Sequence, residues 1–469
     1  MQLDRIREWL TLAVLGVPAA SFFLLGGLSL FLRSPSEKAT ARWTAFTFIT
    51  SFWLALASII LVFTDGPFEL KMGSLFQVPG YSFEFELMVD RLSGTMMLLT
   101  ATILGLVGFF SSTYLHREPG FDRFFILLSL FATGMMLIVM AGNIDLLFAG
   151  WELVGLTSVL LIGFYQERDA PVKRGFAALV TYRVCDVGLL LGAMMLHHYA
   201  HSAALGMAFT TTTWPIGVGH LGTGAATLVA LLFVIGAMGK GAQLPASGWL
   251  PRAMEGPTPS SALFYGALSV HASVYLLIRL APIFAEAPVA RAVLIVVGLS
   301  TALYGTLTGR VQSDVKNTLA YATMAQVGIM FAEVGFGLHA LAIVHLVGHI
   351  SVRTLQLLRA PSALREANAM HAAFGGIQPK TGAQYEAILP EGLRRAIYRH
   401  ALDGFHLDAF VQRVIAAPVL GLATRVDAFG RWFHATIIGM DTTATQKPVE
   451  KNDEQEPHSA PRPALGTRP

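Results

Sequence analysis

Apolar stretches of about twenty residues alternate with short polar segments from the N-terminus to about residue 358. An α-helix of that length crosses the hydrocarbon core of a membrane. The pattern therefore predicts eleven membrane-spanning helices, each bounded by a polar loop. Their expected positions are 10–32, 43–64, 88–114, 122–141, 145–165, 174–197, 223–250, 258–282, 289–309, 315–335 and 338–358.

Composition supports an all-α polytopic membrane protein. Of the 469 residues, 54% are hydrophobic and only 13% are charged, whereas soluble domains carry about 25% charged residues. The first apolar stretch is long enough to span the membrane and follows acidic residues, so it is interpreted as a first transmembrane helix and not as a cleaved signal.

Charge and cysteine content narrow the function classes. The formal net charge of +3 is too small to indicate nucleic-acid binding, and the single cysteine, Cys185, excludes a disulfide framework or a cysteine-rich metal site. No glycine-rich phosphate-binding motif follows a predicted strand. We therefore expect neither a cofactor nor a metal site in this chain, and no redox chemistry of its own.

The basic residues predict the orientation in the membrane, because cytoplasmic loops are enriched in lysine and arginine. Loops after the odd-numbered spans are basic, and they include Arg33, Lys38, Arg42, Arg117, Arg123, Arg168, Lys173, Arg174, Arg252, Arg310 and Lys316. Loops after the even-numbered spans carry little beyond Lys71, Arg279 and Arg291. The pattern predicts a bacterial inner-membrane protein with its N-terminus outside and its C-terminal region in the cytoplasm.

The composition divides the chain into four regions. Residues 1–86 are expected to form N-terminal transmembrane helices. Residues 87–358 are expected to form the functional core, because its membrane spans contain the polar residues. Residues 359–440 are expected to be cytoplasmic and partly amphipathic, lying on the membrane face or against a neighbouring subunit. Residues 441–469 are polar and contain proline, which predicts a disordered tail.

Lys240 is a lysine within an otherwise apolar span, where a charge costs several kcal/mol, roughly 2.5–3.5 on insertion scales. Gly239 and Gly241 flank it, and Pro245 follows. Proline removes a backbone donor and crowds the carbonyl four residues earlier, so the helix is expected to break beside the lysine. A broken membrane helix at a lysine favours an ion pathway; a lysine reaching the interface from a helix end is the alternative.

Glu152 lies in the fifth span, and Arg183 and Asp186 share one face of the sixth. We predict that Glu152 pairs with Lys240 and controls its protonation; a structural carboxylate is the alternative. Arg183 and Asp186 either neutralise each other or leave Asp186 free to interact with a charge elsewhere.

The last predicted span carries a polar stripe formed by His345, His349 and Arg353, which are four residues apart. Histidines can transfer protons near neutral pH, although a structural stripe is equally consistent with the spacing. His271 and Glu333 are single polar residues in apolar spans. We expect both of them on a hydrated path, with hydrogen-bonded core residues as the alternative.

These motifs also carry a resemblance to a known family. The segments GWELVGLTSVLLIGFYQ, RVCDVGLLLG and GAMGKGAQLPASGWLPRAMEGPTPSSAL are similar to segments of the antiporter-like NuoL/MrpA subunits of complex I and its relatives. VQSDVKNTLAYATMAQVGIMF and HLVGHISVRTLQLL continue the resemblance, which runs from about Asp90 to Leu358. It implies that Glu152 and Lys240 form the pair that drives proton translocation, that Asp186 modulates it, and that His345 and His349 belong to a hydrated axis.

The sequence departs from the family pattern at three places. Arg353 stands where the family usually has lysine, and arginine does not release its proton as lysine can. Tyr265 stands where a histidine is expected, and His271 follows it by about a turn and a half. A second broken helix is expected near residue 360, where the chain becomes polar instead, so the second repeat is interpreted as truncated.

Three functional hypotheses follow from the resemblance. In the first, the chain is a proton-translocating subunit that works with other membrane subunits of a complex I-like NADH:quinone oxidoreductase. In the second, it is a DabB-like subunit for inorganic carbon (bicarbonate or CO2) uptake that works with a large zinc-containing cytoplasmic protein of the DabA type. In the third, it is a scaffold subunit without translocation. All three place the protein in a lipid bilayer, without nucleic acid.

Overall fold

The computed structural model describes residues 2–32, 35–79, 81–200, 204–205, 221–374, 389–433 and 436. The predicted tail at 441–469 lies outside these residues. The helices are α1 (Gln2–Phe31), α2 (Glu37–Asp65), α3 (Arg91–Tyr114), α4 (Phe121–Met140), α5 (Ile144–Ile162), α6 (Asp169–Ala200), α7 (Thr223–Lys240), α8 (Trp249–Arg252), α9 (Thr258–Ser261), α10 (His271–Arg279), α11 (Ala281–Ala285), α12 (Pro288–Gly309), α13 (Val315–Gly335), α14 (His339–Phe374), α15 (Glu391–Leu402), α16 (Leu407–Val411) and α17 (Ala417–Phe433).

The predicted helical membrane architecture is confirmed, with a smaller number of strongly apolar helices. Within the described residues, ten helical segments are long and apolar enough to span a membrane, against eleven predicted. The additional predicted span at 315–335 does form a helix, α13. It falls outside the ten because polar residues along its length, such as Gln326 and Glu333, lower its hydropathy.

A β-hairpin between α2 and α3 was not predicted and corrects the purely helical interpretation. Strand β1 (Phe68–Val78) pairs antiparallel with β2 (Tyr81–Val89), with Lys71 opposite Glu86. The sequence YSFEFELMV alternates polar and apolar residues, which is the strand signal. The predicted third span began at residue 88 and included the end of this strand; helix α3 instead starts after Asp90, whose side chain caps it.

The seventh predicted span is interrupted at the position that Pro245 indicated. Helix α7 ends at Lys240, and a non-helical segment leads to the short helix α8. Ala242 within this segment has a φ of +51°, a left-handed conformation that a regular helix does not contain. The break is enclosed by protein, and Gln243 within it is completely buried. Irregular backbone at membrane depth is tolerated only where protein or water shields it from lipid.

The next spanning segment, residues 258–279, forms the centre of the bundle, because all of its most apolar window is buried. It is also irregular: α9 leads into a π-helical segment at Ala262–Ala267, and α10 begins at His271. Single π-helical turns are rare and are frequently found at functional sites. The irregular stretch contains Tyr265 and ends where His271 begins α10.

Small residues allow close contact between α12 and α13. A Cβ atom placed on Gly298 would lie 2.3 Å from the carbonyl oxygen of Gly328, so neither helix could hold its position with a larger residue there. Such small-residue contacts are typical of membrane helices, which pack without a hydrophobic driving force between them.

The region after the last predicted span is helical in its described parts. Helix α14 continues from the predicted span to Phe374, and α15 contacts α12. The chain divides into two compact units, and the boundary follows Leu407. This boundary lies inside the region 359–440 that the composition predicts as a single C-terminal region. In the second unit, α17 is amphipathic: Leu422, Val426 and Phe429 are exposed on one face, and Asp427 pairs with Arg431 on the other.

Candidate functional site

The ammonium group of Lys240 is enclosed by aromatic side chains at the end of α7. Lys240 is 1% exposed. Its Nζ lies 4.8 Å from the ring centroid of Trp151 and 4.9 Å from that of Tyr182, and it donates a hydrogen bond of 3.2 Å to the backbone carbonyl of Trp151. Gly155 leaves room for it, because a Cβ there would lie 3.3 Å from Nζ. Aromatic faces and a carbonyl partly replace the water that a buried cation loses.

Asp186 completes the surroundings of the lysine through the same tryptophan. The indole Nε1 of Trp151 donates a 2.7 Å hydrogen bond to Oδ1 of Asp186, and the carboxylate attracts Lys240 electrostatically. Of the two readings of Asp186, the structure corresponds to the one in which it interacts with a charge on another helix. Trp151 therefore contacts both the acid and the base of this cluster.

Glu152 does not pair with Lys240 in this structure, which corrects the predicted contact. Its carboxylate forms an ion pair with the guanidinium group of Arg183 on α6. Trp151 and Glu152 are consecutive, so their side chains leave α5 about 100° apart. When Trp151 faces the buried lysine, Glu152 is directed towards the outer side of α6. The side chains of Glu152 and Arg183 are 23% and 47% exposed, although both lie within spanning helices.

A second polar cluster links α10, α13 and α14. Nε2 of His271 lies 2.9 Å from Nδ1 of His349, and Nε of Arg353 donates to Nε2 of His349 over 3.4 Å. His345 lies one turn earlier on α14, 2.9 Å from Glu333 and 2.9 Å from Gln326, both on α13. The structure thus brings together all five predicted residues of the axis. Gln326 was not among the predicted residues, although a glutamine within an apolar span also indicates a buried polar contact.

A buried ion pair near the hairpin was also missed. Arg279, at the end of α10, pairs with Asp90, the residue that caps α3, and also donates a 2.8 Å hydrogen bond to the hydroxyl of Tyr275. The two side chains are 6% and 3% exposed. Arg279 was interpreted only as a loop charge, because its partner is 189 residues away in the sequence.

At the hairpin end of the bundle, Asp145 accepts hydrogen bonds from two aromatic residues. Nε2 of His197 lies 2.8 Å from its carboxylate, and the hydroxyl of Tyr81 lies 3.2 Å from the same oxygen. Asp145 stands in the first turn of α5, two turns before Glu152. Within the described ranges, here included, no three His, Cys, Asp or Glu side chains are placed to share a metal ion.

Comparisons with known proteins agree with this architecture. The sequence-family model described as "NADH:quinone oxidoreductase/Mrp antiporter, TM" matches residues 141–375. A second, described as "NADH-Ubiquinone oxidoreductase (complex I), chain 5 N-terminus", matches residues 75–125. The first match includes Lys240, its surrounding residues and the histidine cluster.

Individual relatives align with most of this chain but with less than half of their own length. NADH-quinone oxidoreductase subunit L of Rhodobacter capsulatus is 36% identical over 315 residues, which cover 62% of this chain and 43% of that protein. NAD(P)H-quinone oxidoreductase chain 5 of Synechocystis is 36% identical over 299 residues, covering 64% and 42%. The chain spans less than half the length of these curated relatives.

Solved structures give the same fold. A chain of the Mrp complex from Dietzia aligns with a TM-score of 0.63 at 26% identity, over 75% of this chain and 37% of that chain. A chain of the membrane-bound sulfane sulfur reductase, an archaeal respiratory membrane complex, aligns with a TM-score of 0.63 at 18% identity over 74% and 70%, a likeness of fold alone. The family match covers half of this sequence, and we conclude that the chain belongs to the NADH:quinone oxidoreductase/Mrp antiporter transmembrane family, as an antiporter-like subunit of the NuoL type.

Proposed function

We propose that this chain translocates protons as one membrane subunit of a larger complex. The observation that carries the proposal is Lys240, a lysine that is buried at the end of a broken membrane helix and lies close to a carboxylate. Such a group is expensive to keep in a membrane protein and is normally retained for ion movement. Family membership and the predominance of respiratory and antiporter subunits among the relatives support the same function.

The two polar clusters have different roles in proton translocation. Lys240 and Asp186 form the site that gains and loses a proton, and each of them is hydrogen-bonded to Trp151. Glu152 and Arg183 form the adjacent pair, and a shift of Glu152 from Arg183 towards Lys240 would stabilise the charged lysine. The cluster of His271, His349, His345 and Glu333 carries the proton onward, and Arg353 provides a fixed positive charge at its far end.

A partner subunit is needed to cover the Glu152–Arg183 pair. Arg183 is flanked on α6 by the exposed residues Val180, Val184 and Val187, which place the pair in a surface otherwise suited to apolar surroundings. A half-exposed arginine facing lipid tails would be destabilising. We therefore expect a helix of another membrane subunit with polar groups at this surface.

The orientation proposed from the sequence fits the path of the chain. Helices α2, α4 and α6 end on the same side as the hairpin, and α1, α3 and α5 end on the opposite side, where the basic loops lie. The positive-inside rule places the hairpin outside and the opposite side in the cytoplasm.

The test compares two lysine variants in the purified native complex, reconstituted into liposomes with an imposed membrane potential. Lys240→Met should lower the proton flux by at least about tenfold, in line with the loss of a positioned proton-transfer group. Lys173→Met, which alters an exposed pair with Asp169, is the control and should conduct normally. Normal flux in an assembled Lys240→Met complex would contradict the proposal and favour a scaffold. Flux that requires Na+ would change the proposed ion, and a stoichiometric zinc protein in the purified complex would favour carbon uptake.

A further inference from the structure

A layer of three aromatic rings, Tyr182, Trp249 and Tyr265, extends from Lys240 to the π-helical segment that precedes His271. The ring of Trp249 lies 4.8 Å from that of Tyr182 and 5.8 Å from that of Tyr265, in edge-on contacts on both sides. Tyr182 also lies against the ammonium group of Lys240. Tyr265 belongs to the π-helical segment that leads to His271. The three rings therefore form a continuous chain of contacts from Lys240 to the segment that precedes His271.

The two tyrosine hydroxyl groups in the layer are buried and unpaired. Tyr182 and Tyr265 are each 1% exposed, and neither hydroxyl has a hydrogen-bond partner among the described residues. Buried hydroxyl groups are normally hydrogen-bonded, because leaving one unpaired costs free energy. The tryptophan between them is satisfied, since its Nε1 donates to the carbonyl of Gly239 over 2.9 Å.

Other unpaired hydroxyl groups occur in the same part of the bundle. Ser247, in the helix break, and Ser261, one turn before Tyr265, are buried and lack partners within the described part of the chain. Ser158, on α5, and Ser269, in the turn before α10, lie 3.4 Å apart. Buried hydroxyl groups of this kind are those that bind buried water molecules in proteins.

We propose that the hydroxyl groups of Tyr182 and Tyr265 bind water molecules that connect Lys240 with His271. This inference rests on the proposed function. It identifies the groups that connect the two clusters along the proposed proton path. Each hydroxyl donates a hydrogen bond to one water molecule and accepts a hydrogen bond from another, so no covalent bond of the tyrosine changes. The tyrosines are positioning residues: they order the water chain, and the proton is held at either end by Lys240 and by the His271–His349 pair.

Phenylalanine substitutions test the hydroxyl groups, because they keep the rings and their packing against Trp249. In proteoliposomes, Tyr265→Phe and Tyr182→Phe should each slow proton flux about tenfold. Tyr265→His should retain most of the flux, since imidazole can also donate and accept. Tyr398→Phe, at an exposed position, is the matched control. Normal flux in both phenylalanine variants, measured beside a Lys240→Met variant that does not conduct, would overturn the inference and leave the proposed function intact.

A stability measurement gives a second readout that does not depend on transport. If water satisfies the hydroxyl groups, Tyr265→Phe and Tyr182→Phe should leave the melting temperature of the complex unchanged or lower it. If the hydroxyl groups are dry and unpaired, removing them should raise the melting temperature. A raised melting temperature in both variants would overturn the inference whatever the flux. If Lys240→Met itself conducts normally, the proposed function fails, and this inference fails with it.

Discussion

Glu152 on α5 forms an ion pair with Arg183 on α6, whereas Lys240 is attracted by the carboxylate of Asp186. The carboxylate of Glu152 and the guanidinium of Arg183 lie on the outer side of these helices, whereas Asp186 and Lys240 are buried. The acidic residues of the cluster therefore occupy two different environments. Glu152 is partly exposed beside Arg183, and Asp186 is buried near the lysine.

The first prediction concerns the Glu152–Arg183 pair. Glu152→Gln and Arg183→Gln should each lower the free energy of unfolding, because each leaves a charge unpaired at membrane depth. The double variant should be more stable than the sum of the two single effects predicts, with a coupling free energy of about 0.5–3 kcal/mol. The measurement is resistance to unfolding in an SDS titration of the four proteins. Additive effects of the two substitutions would show that the pair is not formed.

The second prediction concerns Asp90 and Arg279. Breaking this buried pair with Arg279→Met or Asp90→Asn should lower the free energy of unfolding by about 3–5 kcal/mol, since the remaining partner is left buried and uncompensated. The matched control is Lys173→Met, which disrupts an exposed pair with Asp169 and should change it by about 0–1 kcal/mol. Equal effects at the two sites would contradict the burial assigned to Asp90 and Arg279.

The third prediction is a pH dependence of the hairpin. Burial raises the pKa of the Glu86 carboxyl above its usual 4.5, and the hydrogen bond to Glu86 raises the pKa of the Lys71 ammonium above 10.5. A raised carboxyl pKa means that the folded hairpin binds this proton more tightly than the unfolded chain. Its stabilising contribution is present below pH 4.5 and is lost as the pH rises through the folded pKa. The contribution of Lys71 persists until about pH 10.5 and is lost above it.

Two variants separate these contributions. In Lys71→Met, ionised Glu86 has lost its partner, so protection of the hairpin should fall more steeply between pH 4.5 and 8 than in the wild type. Glu86→Gln should abolish the dependence in that range. The measurement is hydrogen exchange of the Gly142 amide, which donates to the carbonyl of Glu86, relative to its intrinsic rate. Identical profiles in all three proteins would contradict the assignment.

The fourth prediction concerns the contact between α12 and α13. Gly298→Ala should destabilise the protein by about 1–3 kcal/mol, because the added methyl group meets the backbone of Gly328 and forces the helices apart. Gly16→Ala, on α1, is the control: nothing lies within 4 Å of the added carbon, and alanine is the better helix former by about 1 kcal/mol. Thermal unfolding in detergent should therefore place the two variants on opposite sides of the wild type.

Much of the fold was predictable because it depends on local composition. Apolar length gave the spanning helices, and Pro245 gave the break after Lys240, since a proline ring acts within one helical turn. The hairpin was missed because its alternating residues adjoin long apolar segments, and the apolar end of β2 was joined to the following span. The segment 315–335 was predicted as a membrane span. It does form a helix, α13, which is less apolar than the ten others.

The contacts within the candidate site were less predictable. His345, Glu333, His271 and His349 were expected near one another, and the structure brings them into contact. The partner of Glu152 was predicted wrongly, because two helices that carry three charges allow several pairings and only their rotation selects one. Asp90 and Arg279 gave no local signal, since each is an ordinary residue at the end of a helix.

The sequence by itself determined that this is a helical membrane protein of the antiporter-like family, with a buried lysine at a helix break and a polar stripe on a late helix. These features follow from hydropathy, proline placement and motif order, which are local properties of the chain. Only the tertiary structure decided that Glu152 faces Arg183, that Trp151 contacts both Lys240 and Asp186, and that Tyr182, Trp249 and Tyr265 stack into one aromatic layer beside the lysine. Those relationships depend on the rotation of each helix about its axis, which is set by packing between segments that are distant in sequence.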